Sequence, residues 1–374
     1  MYTTGFRIIK SESISCLFLL SFCVLVSCKK VDNSGHSDND AHDNQLIQNA
    51  PDGMVWVPGK TFLQGAKDGD KYAMAREKPA HIVKVDGFYI DTHEVTNKQF
   101  SAFVEATGYK TVAERPILWE DFKKQLPPGT SKPPDSLLQP GSLIFNKSVQ
   151  GQVNMNNYSQ WWTWKIGANW KHPQGPKSSI EGKDNFPVVH VTYEDAVAYC
   201  KWANRRLPTE AEWEAAAQGQ NTDAIFTWGN DADLLFQKAN TWQGQFPVLN
   251  NAKDGYEFIA PIKSFEPNSY GIYDMLGNVW EITNDLFDVE YYKKIEEDAI
   301  LKNPKGSKVS YNPNNPLQKE YIIKGGSYLC HDSYCASYRI SARMGQTFDS
   351  SSDHTGFRTV VTKDMLENND QPDL

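Results

Sequence analysis

The sequence predicts an α+β fold rich in coil and built as a single domain, and three observations carry that prediction. Three helix signals stand among short strand-like stretches. Aromatic residues make up 12% of the chain, with eleven Trp and few long apolar runs, the pattern of rings bridging irregular segments. No internal repeat, sustained heptad or second low-complexity linker divides the chain after residue 53. The 374 residues are enough for one large core or two smaller ones. The formal net charge of -8 argues against a general nucleic-acid binder, whose phosphate contacts need clustered Lys and Arg.

The N-terminus reads as an address. Arg7 and Lys10 precede the apolar run Cys16 to Val26, which is shorter than the roughly 20 residues a membrane span needs. The run ends in Leu25-Val26-Ser27-Cys28, which resembles a bacterial lipobox; the resemblance implies a signal peptide over 1–27 and lipid attachment at Cys28. Residues 28–52 are mostly polar and predict a flexible tether, in which His36 and His42 are solvated. The protein is then expected to be an exported bacterial lipoprotein, held by its lipid in the periplasm or at the cell surface. The folded domain is expected over 53–362, followed by a tail over 363–374.

Within the domain, MVWVPGKTFLQG (Met54 to Gly65) alternates apolar and polar residues and breaks at Gly59, which suggests a hairpin. HIVKVDGFYID (His81 to Asp91) is strand-like. Thr96 and Gln99 have capping-box spacing, and Phe100, Phe103 and Val104 follow at helical intervals. Glu114 to Pro187 has little periodicity but holds Phe145, Trp161, Trp162, Trp164, Trp170 and Phe186. It is either an ordered surface that lines a peptide groove or a set of rings covering the core. A helix is expected from about Thr192, and another from Thr209, where Glu212 completes a capping box; Pro208 keeps them apart. Short strands and loops follow.

Removal of Cys16 and Cys23 and lipidation of Cys28 leave Cys200, Cys330 and Cys335, an odd number that cannot all pair within one chain. Cys200 sits among apolar helix residues and reads as a buried free thiol. Cys330 and Cys335 do not share a helix face, since five residues advance about 500°. Their sulfurs meet only through a turn, and Gly325-Gly326 just upstream permits a tight one. A short-loop disulfide is the plain reading in an exported protein. Zinc would want four ligands, and no second Cys or Cys/His pair is visible. Two thiolates suit a soft, low-coordinate ion such as Cu(I).

GGSYLCHDSYC (Gly325 to Cys335), followed by YRISAR and SSSDHTGFR, resembles the C-terminal active-site block of formylglycine-generating enzymes, the sulfatase-modifying factors. The similarity extends to RRLPTEAEWEAAA, YGIYDMLGNVWEIT, GANWKHPQGP and MVWVPGKTFLQG, and so to nearly all of the chain after the tether. It implies the formylglycine-generating enzyme fold, which is C-type-lectin-like. It also implies an oxidase that converts a cysteine of an unfolded sulfatase to Cα-formylglycine with O₂ and a thiol reductant. Cys330 and Cys335 would bind copper as Cu(I), with Ser327 and Trp280 lining the oxygen pocket. His331 and Trp161 match substrate-binding positions. Arg343, Arg358 and Asp349 either support the site or form exposed salt bridges.

The same resemblance implies structural Ca²⁺ at two places. Asn240 and Asp254 with carbonyls of Thr241 and Tyr256 match one site, and Asp274 and Glu281 with carbonyls of Gly277 and Val279 match the other. Oxygen donors of this kind suit a hard cation. Structural disulfides of vertebrate relatives are not retained, since Thr359 and Ile340 stand at matching positions. The rival to the oxidase is a non-catalytic lipoprotein on the same scaffold, a gliding-motility or secretion component, which is not expected to keep both cysteines. An iron-dependent sulfoxide synthase would need a helical His cluster, and no H-x-x-x-H spacing occurs among the eight histidines.

Overall fold

Residues 54–91 form one bent ribbon, and its bend decides where the later elements attach. The computed structural model describes residues 46, 48–296 and 298–369; the signal segment, Cys16, Cys23, Cys28, His36 and His42 lie outside them. Strands β1 (Met54–Val57) and β2 (Lys60–Gln64) are not a hairpin, contrary to expectation. They run on as one bent strand, antiparallel to β3 (His81–Val85) and β4 (Phe88–Asp91). Met54 faces Asp91, Val57 faces Phe88, Lys60 faces Val85 and Gln64 faces His81, so the register is unbroken across the bend. Gly59 and Gly87 sit back to back there. A Cβ on Gly59 would lie 3.0 Å from the Gly87 nitrogen, and one on Gly87 would strike the Trp56 ring at 2.3 Å. Gly59 is therefore a kink under close packing and not the tip of a turn.

The capping signals produce helices α1 (Asn97–Thr107), α2 (Tyr193–Trp202) and α3 (Glu210–Gln218). Thr96, Thr192 and Thr209 each accept the backbone N–H three residues on, and Gln99, Asp195 and Glu212 reach back to close the boxes. Gly108 ends α1 in the left-handed conformation. Phe100 and Phe103 of α1 pack with Tyr199 of α2, Trp170 and Phe357 in the main core. The irregular stretch 114–187 contributes a two-stranded ribbon of β5 (Gly141–Phe145) and β6 (Trp162–Ile166). Its rings divide: Trp161 and Trp170 cover the core, whereas Trp164 is exposed.

A four-stranded sheet positions the C-terminal residues. Strand β7 (Trp280–Leu286) lies between β9 (Glu320–Lys324) and the short β11 (Thr355–Gly356), and β10 (Met344–Thr347) pairs with the far side of β9. Strand β8 (Ile300–Lys302) adds to β3, and β12 (Val360–Val361) adds to β4.

The domain extends past both expected boundaries. Leu46 is buried against Met54, Tyr89 and Val361, and its carbonyl accepts the Tyr89 hydroxyl at 3.1 Å. Residues after 362 form α4 (Lys363–Asn369), whose Met365 and Leu366 pack on the same patch. Two apolar residues of the polar leader and two of the tail thus bury one another's faces. Among the described residues, no helix is long and apolar enough to cross a membrane.

Buried ion pairs fasten these layers. Arg358 bonds both carboxylate oxygens of Glu281 at 2.6 Å, Arg343 bonds Glu210 at 2.8 and 2.9 Å, and Lys324 bonds Glu214 at 2.8 Å. Arg343 and Arg358 are therefore interior, not exposed salt bridges. Asp349 is half-buried and accepts Gln125 at 2.6 Å. Arg339 bonds Glu77 twice and Asp70 once, at 2.6 to 2.9 Å, and its Nε donates to the Ala336 carbonyl. Arg339→Met should cost roughly 3–5 kcal/mol, since it strands two buried carboxylates. Thr96→Ala, which removes one helix cap, should cost about 1 kcal/mol. Urea unfolding of both variants checks the order.

Candidate active site

Strand β9 delivers the chain to Gly325 and Gly326, both at positive φ (87° and 75°). A Cβ on Gly325 would lie 2.7 Å from the Met275 carbonyl oxygen, and one on Gly326 would lie 2.9 Å from the Ser337 backbone. Only glycine fits this approach, and it folds the following residues back over the sheet end. Cys330 N–H donates to the Ser327 carbonyl at 2.9 Å, closing a first turn. The His331 carbonyl then accepts N–H from Tyr334 at 3.0 Å and Cys335 at 2.7 Å, closing a second. The two turns bring the Cys330 and Cys335 sulfurs to 3.0 Å. That is hydrogen-bond contact, well beyond the roughly 2.05 Å of a disulfide, and both are free cysteines.

The two thiols are electrostatically unequal. A hydrogen bond from the Cys330 thiol is the main cause that lowers Cys335 to about 7; burial opposes it, while Ser337 and the Arg76 guanidinium assist. Burial pushes Cys330 far above the ordinary thiol range, and the neighbouring Cys335 adds to the effect. Near neutrality the pair holds one proton between two sulfurs. Cys330 is buried and Cys335 half-buried.

The expected partners fall at different distances from this pair. Ser327 is buried, its N–H points to the Cys330 sulfur at 3.4 Å, and its Oγ accepts from Leu329 N–H. Trp280 opens β7 and belongs to the same packed cluster as Cys330, with Cys335 against it. His331 is half-exposed at the rim, with Nδ1 engaged by Ser333 and Asp332 of its own loop. Trp161 is completely buried and lies edge-on to Tyr334 with centroids 5.5 Å apart. The half-buried neighbour Trp162 lies against His354, with centroids 4.7 Å apart and the rings tilted by 39°.

Several residues have no sequence signal of their own. Tyr334, between the cysteines, stacks on Phe246 at 4.4 Å and 6° and shields the pair. Tyr72 donates to Asp332 at 3.1 Å. Tyr72 and Arg76 come from the loop joining β2 to β3, more than 250 residues upstream. Cys200 is buried in the main core, and burial raises its thiol well above the usual range. Thr359 bonds Asp91 through N–H at 2.8 Å and Oγ1 at 2.6 Å.

Members of each expected calcium set lie near one another, and the Thr241 carbonyl accepts Gln243 Nε2 at 2.7 Å. Asp254 accepts N–H from Thr241 at 3.0 Å and Tyr256 at 2.9 Å, and the buried Oδ1 of Asn240 has no partner. An orphaned buried acceptor beside a carboxylate fits a hard cation. In the second set, Gly277 is at positive φ with its Cα facing the Asn240 carbonyl, and Val279 and Asp274 are buried. Glu281 is already clamped by Arg358 and by Trp213 Nε1 at 2.7 Å. Glu94, not anticipated, adds a third buried carboxylate with Oε2 unpartnered. Burial, then Asp274, pushes Glu94 far above the carboxylate range; burial raises Asp274 to about 6. Arg358 faces all three carboxyls, and Lys263 also acts on Asp274. No three His, Cys, Asp or Glu side chains converge as a metal site among the described residues. Carbonyls and the Asn240 amide would have to complete either set.

The fold also occurs in a solved structure, PvdO from Pseudomonas aeruginosa, with a TM-score of 0.54 and 22% identity over 83% of this chain and 94% of that one. Residues 41–363 match the sulfatase-modifying factor enzyme 1-like domain, and the chain belongs to that family. It is 42% identical to a formylglycine-generating enzyme of Thermomonospora curvata, over 83% of this chain and 93% of the relative. It is 34% identical to mouse inactive Cα-formylglycine-generating enzyme 2, over 89% of each.

The unequal thiols predict unequal reactivity. In metal-free protein, iodoacetamide should label Cys335 first, at a rate that rises as pH passes about 7 and the thiolate forms. Cys330 and Cys200 should stay protected until unfolding. Peptide mapping that finds Cys330 labelled as fast as Cys335 would contradict the assignment.

Proposed function

We propose that this protein is a formylglycine-generating oxidase, converting a cysteine of an unfolded sulfatase polypeptide to Cα-formylglycine. The observation that carries the reading is the pair of unbonded sulfurs 3.0 Å apart, one buried and one half-buried. The reading also draws on the 42% identity to a relative named for that activity.

The donor set fits Cu(I): two soft sulfurs already in contact, one of them a ready thiolate, and no third His or carboxylate competing for the ion. Cys330 and Cys335 would hold it, and when bound it supplies a redox-active centre open to a further thiolate and to O₂. The chain's own residues do the rest. The Gly325-Gly326 turn sets the sulfur separation. Ser327 directs its N–H at Cys330 and orients that sulfur. Trp280 and Tyr334 keep bulk water from the pair, so that oxidation is not diverted into solvent. His331, half-exposed beside Cys330, is placed to meet the incoming polypeptide. Two electrons from the substrate's sulfur-bearing carbon and two from a thiol reductant, which becomes a disulfide, reduce O₂ to water. Water then replaces sulfur at the oxidised carbon, which becomes the aldehyde, and the sulfur leaves as hydrogen sulfide.

The test is aldehyde formation on a sulfatase cysteine peptide by copper-loaded protein under O₂ and a thiol reductant. Cys330→Ser should lower turnover by at least about a hundredfold, the upper range for disrupting a metal's surroundings. Equal turnover by variant and wild type would remove the two-thiol site. No turnover by wild type would favour the non-catalytic scaffold. We further propose that Asn240 and Asp254, with the Thr241 and Tyr256 carbonyls, hold Ca²⁺. Calcium at a hundredfold excess over its Kd should then stabilise the protein by about 2.7 kcal/mol. Asn240→Leu should abolish the rise in Tm on calorimetry.

A further inference from the structure

Strand β6 is the open edge of its ribbon. Its partner β5 is covered on the far side, where Leu143 N–H donates to the Ser351 carbonyl at 3.2 Å and the Leu143 carbonyl accepts Asp353 N–H at 3.1 Å. The register identifies which β6 groups face outward. Asn146 N–H donates to the Trp161 carbonyl at 2.8 Å, and Gly167 N–H donates to the Pro140 carbonyl at 2.9 Å. With Leu143 opposite Trp164, residues 161, 163, 165 and 167 are those that exchange hydrogen bonds with β5. In an antiparallel ladder the alternate residues turn their N–H and C=O the other way. Those residues are Trp162, Trp164 and Ile166. Among the described residues, no hydrogen-bond partner is found for their main chains. Natural edges are commonly blunted by proline, a bulge or several charges; this one carries only Lys165.

The side chains beside the edge are apolar and exposed. Trp164 is 39% and Ile166 46% exposed. Trp164, Ile117, Leu118, Phe122, Leu317 and Phe348 line a groove of about 650 Å³, with Leu118 64% and Leu317 47% exposed. The edge strand begins beside the thiol site. Trp161, directly before β6, packs under Tyr334 of the cysteine loop, and Trp164 lies three residues on, about 10 Å along the strand.

We propose that the outer edge of β6 is a docking strand for the client polypeptide. A segment a few residues from the modified cysteine adds to Trp162–Ile166 as a third strand, and its apolar side chains enter the groove. Unpaired N–H and C=O groups at strand spacing select an extended main chain, and an unfolded client is the polypeptide whose main chain is free to pair. The inference rests on the reading of the protein as acting on such a client, and equilibrium binding separates the two.

The probes are fluorescent cysteine peptides measured by anisotropy with wild-type protein. A short one stops about three residues either side of its cysteine; two longer ones add about eight residues, roughly 26 Å of strand, on one side or the other. One long peptide should bind about tenfold or more tighter than the short one, the effect of a few main-chain hydrogen bonds. N-methylation of alternate residues in its extension should remove that advantage, and methylation shifted by one residue should not. Trp164→Pro, which deletes an outward N–H at a position where an edge strand tolerates proline, should bring the long peptide to the short peptide's Kd. It should leave the short peptide's Kd unchanged. Long and short peptides of equal Kd, or N-methylation without alternation, would overturn the docking strand even if the short peptide is oxidised. Conversely, the alternating Kd pattern without oxidation would sink the functional reading alone. A dimer that Trp164→Pro converts to monomer on sedimentation, with peptide Kd unchanged, would assign the edge to a second copy and overturn the proposal.

Discussion

Arg339 holds together segments that would otherwise have no reason to meet. Its guanidinium bridges Asp70 and Glu77 of the loop between β2 and β3, while its Nε holds the Ala336 carbonyl beside Cys335. The cysteine loop has little regular structure, so its shape depends on such ties. Arg339 fixes its exit, the glycine pair fixes its entry, and Tyr334 is clamped between Phe246 and Trp161. A buried ion pair is weak evidence for net stability. Here its value lies in geometry, since it sets where Arg76 and Tyr72 stand relative to the sulfurs.

The helices were legible because their signals are local. A threonine, a polar partner three residues on and an apolar spacing suffice, and α1, α2 and α3 follow from them. The β1–β2 stretch was misread because its signals are also local. A proline and a glycine between two alternating runs look like a turn, but their meaning depends on Gly87 across the ribbon. The tether and tail were read as free for a related reason: Leu46, Met365 and Leu366 find their apolar partners only where Met54, Tyr89 and Val361 come together.

At the site, the cysteine spacing and the preceding glycines were readable, and so was the need for a turn. The inequality of the two thiols was not, because it arises from burial of Cys330 and from Arg76, distant in sequence. Glu94 escaped notice because a lone glutamate beside a helix start is ordinary in sequence. Its unpartnered oxygen next to Asp274 and Glu281 exists only in three dimensions. Trp161 and Trp162 were indistinguishable as letters. The fold separates them by burying the first and leaving the second half-covered.

The bent ribbon of β1 to β4 also bears on how the chain is made. Its inner strand β4 is completed by β12, Leu46 is covered by α4, and the loop at its closed end is clasped by Arg339. Every one of those partners lies beyond residue 338. A nascent chain therefore carries half-built sheets and uncompensated carboxylates until residues 339–369 are available to it. Contacts so remote in sequence form slowly and late. The ribbon and the thiol site therefore depend on the same late segment, residues 339–369.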